Sequence, residues 1–138
     1  MSEWRPPTAQ TFDREFESAA DSPWLRAVFG ADLPPEVEPF SFVTIDALRL
    51  FVDELALGHG HTLVDLGCGR GGPGLWLAKT TGASLVGVDF STVGVAHAVV
   101  RAEQLAPDVD ARYVVADAMT LVCPMAARTR WCASTPSS

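Results

Sequence analysis

A glycine-rich segment followed at a distance by an aspartate is the part of this sequence best suited to hold a ligand. Residues 67–74 read GCGRGGPG, with five glycines in eight positions, and Asp89 comes 22 residues after Gly67. Glycines allow positive φ angles and let a ligand approach the backbone without a Cβ in the way. An acid at the end of the next strand can accept hydrogen bonds from both hydroxyls of a ribose. The pair therefore predicts a site for an adenosine-containing cofactor.

Short apolar runs on both sides of the glycine segment predict the elements that would position it. Residues 63–66 (LVDL) are typical of a buried strand, and residues 75–79 of a helix that Gly82 can end as a C-cap. Residues 84–89 (SLVGVD) predict a second strand that ends on the aspartate. The helix would turn its free N–H groups and the positive end of its dipole towards the loop. This order is the first half of a nucleotide-binding α/β sheet.

The glycines alone leave the identity of the cofactor open, because Gly67, Gly69 and Gly72 also fit the dinucleotide pattern G-x-G-x-x-G. Asp65 lies two residues before Gly67, where its charge would repel a pyrophosphate and attract an ammonium or a sulfonium. A third predicted strand, at residues 112–118, also contains an acid, Asp117. The two acids favour a positively charged adenosyl compound over a dinucleotide.

In these features the sequence resembles the class I methyltransferases that use S-adenosylmethionine (SAM). Residues 65–71 (DLGCGRG) resemble the first motif of that family, residues 86–91 (VGVDFS) its second-strand motif, and residues 115–118 (VADA) its third. Residues 38–44 (EPFSFVT) resemble the entry segment of small-molecule methyltransferases in the same superfamily. The motifs come in the family's order, and the resemblance covers roughly residues 40–120.

The resemblance implies both a fold and an activity. The fold would be α/β, a Rossmann-like parallel sheet with helices on both faces, preceded by N-terminal helices. The activity would be transfer of a methyl group from SAM to a small-molecule acceptor, with S-adenosylhomocysteine (SAH) as the product. The alternatives that the residues leave open are a SAM-binding module without turnover and an oxidoreductase fragment that binds NAD.

The three motifs also imply which residues bind the cofactor. Those residues are Asp65, Gly67, Gly69, Gly71, Asp89, Phe90, Asp117 and Ala118. Asp89 could instead cap the helix that follows it, Asp65 could brace the loop, and Phe90 could belong to the core. We interpret Cys68 as a small filler of the loop rather than a nucleophile. No residue is assigned as a catalytic base, and none of the three histidines has metal-ligand spacing.

Composition limits the class of protein. A chain of 138 residues with 48% hydrophobic residues predicts a single domain with a real core. The net charge of -7 argues against a nucleic-acid partner, because no basic face is available to neutralise phosphates. Three irregularly spaced cysteines fit neither a disulfide framework nor a metal site. With no signal sequence and no long apolar run, we expect a cytoplasmic protein without a membrane partner.

The chain divides into three parts. Residues 1–57 predict an N-terminal helical cap, in which Ser22 and Thr44 are candidate N-caps and Gly58 ends the last helix. The apolar residues of that last helix fall on a stripe suited to packing on a sheet: Leu48, Phe51, Val52 and Leu55. Residues 58–120 predict a partial SAM-binding domain, with a further helix capped by Ser91.

Residues 121–138 have a different character, because all 17 acidic residues lie at or before Asp117. This tail lacks a sustained period, and we expect it to be disordered. The resembling family normally has more strands, so we expect a truncated or frame-shifted methyltransferase that lacks the C-terminal half of the sheet. Residues 63–66 would then present an unpaired apolar edge through which chains could self-associate.

Overall fold

The computed structural model describes residues 7–19 and 22–118 of the chain. Three helices come first in this region, and three strands that alternate with two further helices follow them. The helices are α1 (Ala9–Ala19), α2 (Pro23–Phe29), α3 (Ile45–Leu55), α4 (Gly72–Thr81) and α5 (Thr92–Leu105). The strands are β1 (Thr62–Leu66), β2 (Ser84–Asp89) and β3 (Ala111–Val115), and a 3₁₀ turn spans Pro39–Ser41.

The three strands form one parallel sheet in the order β1-β2-β3. In the register of this sheet Leu63 lies beside Leu85, and Gly87 lies beside Tyr113. Parallel neighbours need crossover helices, and α4 and α5 supply them. The predicted α/β class and Rossmann-like arrangement are confirmed.

Helices α4 and α5 cover the same face of the sheet. Their side chains meet the central strand in one buried cluster: Leu75 and Ala78 from α4, Leu85 from β2, and Ala102 and Ala106 from α5 and its end. Since side chains alternate along a strand, Val64, Val86 and Val114 point to the opposite face. Val114 is 48% exposed there.

Helix α3 packs beside α4, and the segment between α2 and α3 fills the space next to them. Leu48 and Val37 are fully buried against Leu77 of α4. The predicted apolar stripe of α3 is therefore only partly correct, because Phe51 and Leu55 are 44% and 47% exposed. The inward face is rotated towards Ile45, Leu48 and Val52, which contact this second cluster.

Local signals located most element ends. Thr44 Oγ1 accepts a hydrogen bond from the Ala47 amide (3.2 Å), Ser91 Oγ accepts one from the Gly94 amide (2.9 Å), and Gly82 ends α4 in a left-handed conformation. Two predicted ends were wrong. Helix α3 ends at Leu55, with Ala56 rather than Gly58 at its C-cap.

The third strand ends at Val115, so Asp117 lies two residues beyond it. The reason is that the neighbouring strand β2 ends at Asp89. The Asp89 carbonyl accepts the last hydrogen bond between the two strands, from the Ala116 amide (2.9 Å). The predicted tail, residues 121–138, lies outside the described residues. Within the described part of the chain, no helix is both long and apolar enough to cross a membrane.

Candidate cofactor site

The glycine segment forms a tight bend between β1 and α4. The amides of Gly67 and Cys68 both donate to the carbonyl of Val88 (2.8 and 3.1 Å), which folds the bend over the end of β2. Gly67 has a φ of 76°, which favours glycine, and a Cβ placed on it would meet no atom within 4 Å. The bend therefore presents backbone to open space, as a ligand-binding loop must.

Asp89, at the tip of β2, is 5% exposed and joins this bend to the start of α5. Its Oδ2 accepts a hydrogen bond from the Gly69 amide and its Oδ1 accepts one from the Ser91 amide, both at 2.8 Å. Each carboxylate oxygen has two lone pairs, so each can accept one further hydrogen bond. Ser91 is the N-cap of α5, so Asp89 holds the capping residue rather than capping the helix itself, and it keeps acceptor capacity for a ligand.

Asp65 lies at the end of β1 and braces the first turn of α4. Its carboxylate accepts a hydrogen bond from the Gly74 backbone, and a Cβ on Gly74 would overlap this carboxylate. Burial raises the pKa of Asp65; the Gly74 bond opposes this rise, and the nearby Asp89 adds to it. A partly buried carboxylate beside a second carboxylate favours a cationic ligand.

These residues line a cleft of about 570 Å³. Of the predicted cofactor-binding residues, Asp65, Gly67, Gly69, Asp89 and Phe90 line it. The volume lies within the range of about 300–1,000 Å³ that is usual for small-molecule and cofactor sites. The cleft also includes aromatic and acidic residues from α1 and from the segment before α3, which sequence reasoning did not assign to it.

Three predicted residues are not among those that line the cleft: Gly71, Asp117 and Ala118. Gly71 is the N-cap of α4 at a φ of 83°, and a Cβ on it would lie 2.9 Å from the Tyr113 hydroxyl. Asp117 and Ala118 are exposed beyond the end of β3. A role for these three residues in cofactor binding stays a prediction.

Arg70 connects the glycine bend to two segments that sequence reasoning did not link with it. Its Nη1 donates to the carbonyl of Phe16 in α1 (2.9 Å), and its Nε lies 2.9 Å from Glu38 Oε2. Glu38 Oε1 also accepts a hydrogen bond from Arg101 Nη1 of α5 (3.0 Å). The only sequence signal was that Arg70 is a lone cation among glycines.

Helix α1 forms one wall of the cleft. Phe16 is 7% exposed, and its ring lies so close to the bend that a Cβ on Gly69 would be 3.1 Å from it. Asp13 accepts hydrogen bonds from the Ser91 hydroxyl and from the Val93 amide (3.3 Å), and so caps α5 from another helix. The first helix is therefore an integral wall of the site.

Cys68 belongs to the bend, is among the residues that line the cleft, and is 6% exposed. Burial raises the pKa of its thiol to about 12, and the charges of Asp65 and Asp89 add to the effect. Its sulfur and the Tyr113 ring both pack against Gly87, where a Cβ would be 3.0 Å from the sulfur. A protonated, buried thiol cannot serve as a nucleophile, which agrees with the filler interpretation.

Comparison with known proteins places this architecture among methyltransferases. The chain is 34% identical over 106 residues to methyltransferase GfsG of Streptomyces halstedii, an alignment that covers 70% of this chain and 37% of that protein. The chain therefore spans well under half the length of this relative.

Two solved structures share the fold. One is a SAM-dependent methyltransferase from Geobacter sulfurreducens in complex with SAH, with a TM-score of 0.50 and 26% identity, covering 71% of this chain and 38% of that chain. The other is the [4+2]-cyclase SpnF, with a TM-score of 0.60 and 24% identity, covering 89% of this chain and 47% of that chain. The similarity to the cyclase shows only that the fold is shared, because a fold does not determine a reaction.

The methyltransferase domain family matches residues 63–133, about half of the chain. This match begins in β1, includes the glycine bend and the tip of β2, and continues past the described residues. The chain belongs to this methyltransferase domain family.

Proposed function

We propose that this protein is a SAM-dependent methyltransferase that acts on a small-molecule acceptor and releases SAH. The observation that carries the proposal is the joint placement of Asp89 and the glycine bend, which the Gly69 amide and the Asp89 carboxylate hold together at 2.8 Å. Family membership agrees with it. The Geobacter sulfurreducens neighbour, which is 26% identical, is a methyltransferase in complex with SAH.

The residues of the cleft fit the parts of SAM. The remaining lone pairs of Asp89 suit the ribose hydroxyls. The open backbone at Gly67 leaves room for SAM to approach the chain closely. Asp65, a partly buried carboxylate near Asp89, suits the positively charged methionine end. A pyrophosphate would meet repulsion from both acids, which disfavours the NAD alternative.

When bound, SAM supplies a methyl group that its sulfonium already activates for in-line displacement. The protein then has to bring the acceptor atom to about 3–3.5 Å from that group and align it. The aromatic side chains of the cleft and helix α1 would exclude water and orient the acceptor. We assign no catalytic base.

A SAM-binding module without turnover is the second candidate. The observation that favours it is that the described residues supply a cleft for the donor but no group that we assign as a catalytic base. Both candidates require SAM binding, so only an activity assay separates them.

The test is transfer of labelled methyl groups from SAM to small molecules of a cell extract, with an Asp89→Ala variant as the control. The enzyme proposal predicts a labelled low-molecular-weight product with the wild-type chain and much less with the variant. Binding of SAH together with no labelled product would favour the module.

We also propose that the outer edge of β1 associates with a second copy of the chain. Within the described residues β1 pairs only with β2, and Leu66 at its end is 60% exposed. Sedimentation velocity should then show a dimer that a Leu66→Lys substitution dissociates. The control is Leu50→Lys, which changes a comparably exposed leucine on α3. A monomeric wild type at all concentrations would contradict this.

We further propose a cytoplasmic protein that binds neither nucleic acid nor membranes. The net charge of -7 supports the exclusion of nucleic acid, and the buried free thiol of Cys68 suits a reducing compartment. Fractionation of cells and a DNA-binding assay at low salt test the two parts. Recovery with membranes, or retention on DNA, would contradict them.

A further inference from the structure

We propose that the methyl acceptor is an apolar molecule without negative charge, selected by Phe42 and Phe12 and by the carboxylate of Glu15. The inference rests on the proposed function, since it concerns the second ligand of the same cleft. It names the class of acceptor, which neither the family nor the neighbours fix for this chain.

The first argument is an aromatic lining that extends beyond the cofactor residues. Four phenylalanines line the cleft: Phe12, Phe16, Phe42 and Phe90. Phe12 meets Phe90 edge to face, with ring centroids 5.3 Å apart, and its centroid is 6.1 Å from that of Phe16. The rings therefore continue from the tip of β2, beside Asp89, up into helix α1. Such a surface binds an apolar or aromatic body.

The second argument is Phe42, which also lines the cleft, at the point where the segment before α3 reaches it. Its side chain is 86% exposed although it lines the cleft, and its backbone is left-handed, with a φ of 54°. The turn at Phe42 is held by its amide, which donates a hydrogen bond to the Pro39 carbonyl (3.2 Å). Left-handed conformations of residues other than glycine cluster at ligand clamps. An exposed phenylalanine held in this way suits contact with an apolar ligand.

The third argument is the charge of the cleft. Among the described residues, its charged lining consists of four carboxylates and one guanidinium: Glu15, Glu38, Asp65, Asp89 and Arg70. The single cation is already engaged, because Arg70 contacts Glu38 and the Phe16 carbonyl. Among the residues that the structure describes, no positive group that lines the cleft therefore remains to balance an anionic acceptor.

The carboxylates do not all remain available after the donor binds. Glu38 is paired with Arg70 and Arg101, and Asp89 accepts two backbone hydrogen bonds. The ammonium of the bound donor or product would balance Asp65. Glu15 lies on the exposed surface of α1 and also lines the cleft, so it is the charged group that an acceptor would meet. It would repel a carboxylate or phosphate and tolerate or attract an amine, which the aromatic faces also favour.

The experiment titrates three probes that share one ring system and differ in charge: naphthylmethylamine, naphthylmethanol and naphthoate. Binding of SAH to the full chain is measured first by calorimetry, and the probes are then titrated into the SAH-saturated protein. We expect saturable binding of the amine and the alcohol, with naphthoate weaker than the alcohol by at least about tenfold.

Two pairs of variants locate the selection. Glu15→Gln should reduce the ratio of the amine affinity to the naphthoate affinity by about fivefold or more. Glu17→Gln, which changes a glutamate on the same helix but outside the cleft lining, should leave this ratio unchanged. Phe42→Ala should weaken the amine and the alcohol by about fivefold, whereas Phe51→Ala, an exposed phenylalanine of α3, should leave them unchanged.

Equal or tighter binding of naphthoate would overturn the inference, as would the absence of binding by any probe to a protein that binds SAH. Unchanged probe affinities in both Glu15→Gln and Phe42→Ala would also overturn it. A chain that binds no SAH but prefers the amine and alcohol over naphthoate would refute the proposed function while supporting the charge preference. The two failures are therefore distinguishable.

Discussion

The amide of Gly69 donates a hydrogen bond to Oδ2 of Asp89 across 2.8 Å, joining the glycine bend after β1 to the tip of β2. The other oxygen of the same carboxylate holds the Ser91 amide at the start of α5. One buried side chain thus sets the relative position of three backbone segments. The geometry of the candidate site and its local stability therefore depend on the same residue.

Asp89→Ala should both destabilise the fold and weaken SAH binding. The substitution leaves the Gly69 and Ser91 amides without their acceptor, at a cost of about 1–3 kcal/mol for each amide that stays buried. Loss of a charged hydrogen bond to the ribose should cost a further 1.5–3 kcal/mol, roughly, in SAH affinity. Urea unfolding and calorimetry measure the two effects.

The matched control for that substitution is Asp53→Ala, which removes the same charge from an exposed position on α3. It should leave SAH affinity unchanged and should not destabilise the chain. If Asp89→Ala behaved like Asp53→Ala in both measurements, Asp89 would have no part in the site.

Gly74→Ala should disrupt the first turn of α4, because the new Cβ would overlap the carboxylate of Asp65. Overpacking of this kind typically costs about 1–3 kcal/mol. We expect a lower free energy of unfolding and weaker SAM binding. Gly58→Ala serves as control, since the nearest atom to its Cβ, the Thr81 carbonyl oxygen, is 4.0 Å away. Equal stability of the two variants would argue against the close Asp65–Gly74 contact.

Arg70→Ala should release helix α1 from the cleft. Helix α1 has 11 residues, and a helix of that length is marginal in water without tertiary contacts. The substitution removes the hydrogen bond to the Phe16 carbonyl and the ion pair with Glu38. Hydrogen–deuterium exchange of residues 9–19 should therefore become faster. Arg49→Ala, which breaks only an exposed pair with Asp46, should not change it. Unchanged protection in Arg70→Ala would show that α1 is held by other contacts.

Asp65→Asn should stabilise the chain without ligand at neutral pH and weaken SAM binding. Because burial raises the pKa of Asp65, the ionised form is disfavoured in the folded chain, and the favourable contribution of the protonated form is lost as pH rises through the folded-state pKa. Thermal unfolding should show a higher Tm for the variant at neutral pH. The difference should shrink in acid, as the wild-type carboxyl becomes protonated.

If the rise in Tm caused by Asp65→Asn instead grew as pH fell, burial would not be the cause of the raised pKa of Asp65. SAM binding gives the independent readout, because an amide cannot attract the sulfonium and ammonium as a carboxylate does. A variant that is more stable but binds SAM as tightly as the wild type would remove Asp65 from the donor site.

The sequence predicted the features of this site that depend on neighbouring residues. The glycine bend, the helix caps at Thr44 and Ser91 and the aspartate at the end of β2 are all local patterns, and the structure confirms them. Local patterns suffice there because turn and cap geometry is set within a few residues.

Contacts between distant segments could not be predicted in this way. Arg70 and the Phe16 carbonyl are 54 positions apart, and Asp13 and Ser91 are 78 apart. The inward face of α3 was likewise ambiguous, because its apolar residues cover two sides and only packing against Val37 and Leu77 selects one. The glycine bend and the position of Asp89 were therefore readable from the sequence, whereas the wall supplied by α1 was not.

Calorimetric titration of the full chain with SAH and, separately, with NAD tests the central claim most directly. The account predicts saturable binding of one SAH per chain, a weaker interaction in Asp89→Ala, and no binding of NAD. Tight binding of NAD with no heat from SAH would contradict the assignment of this cleft to a positively charged adenosyl donor.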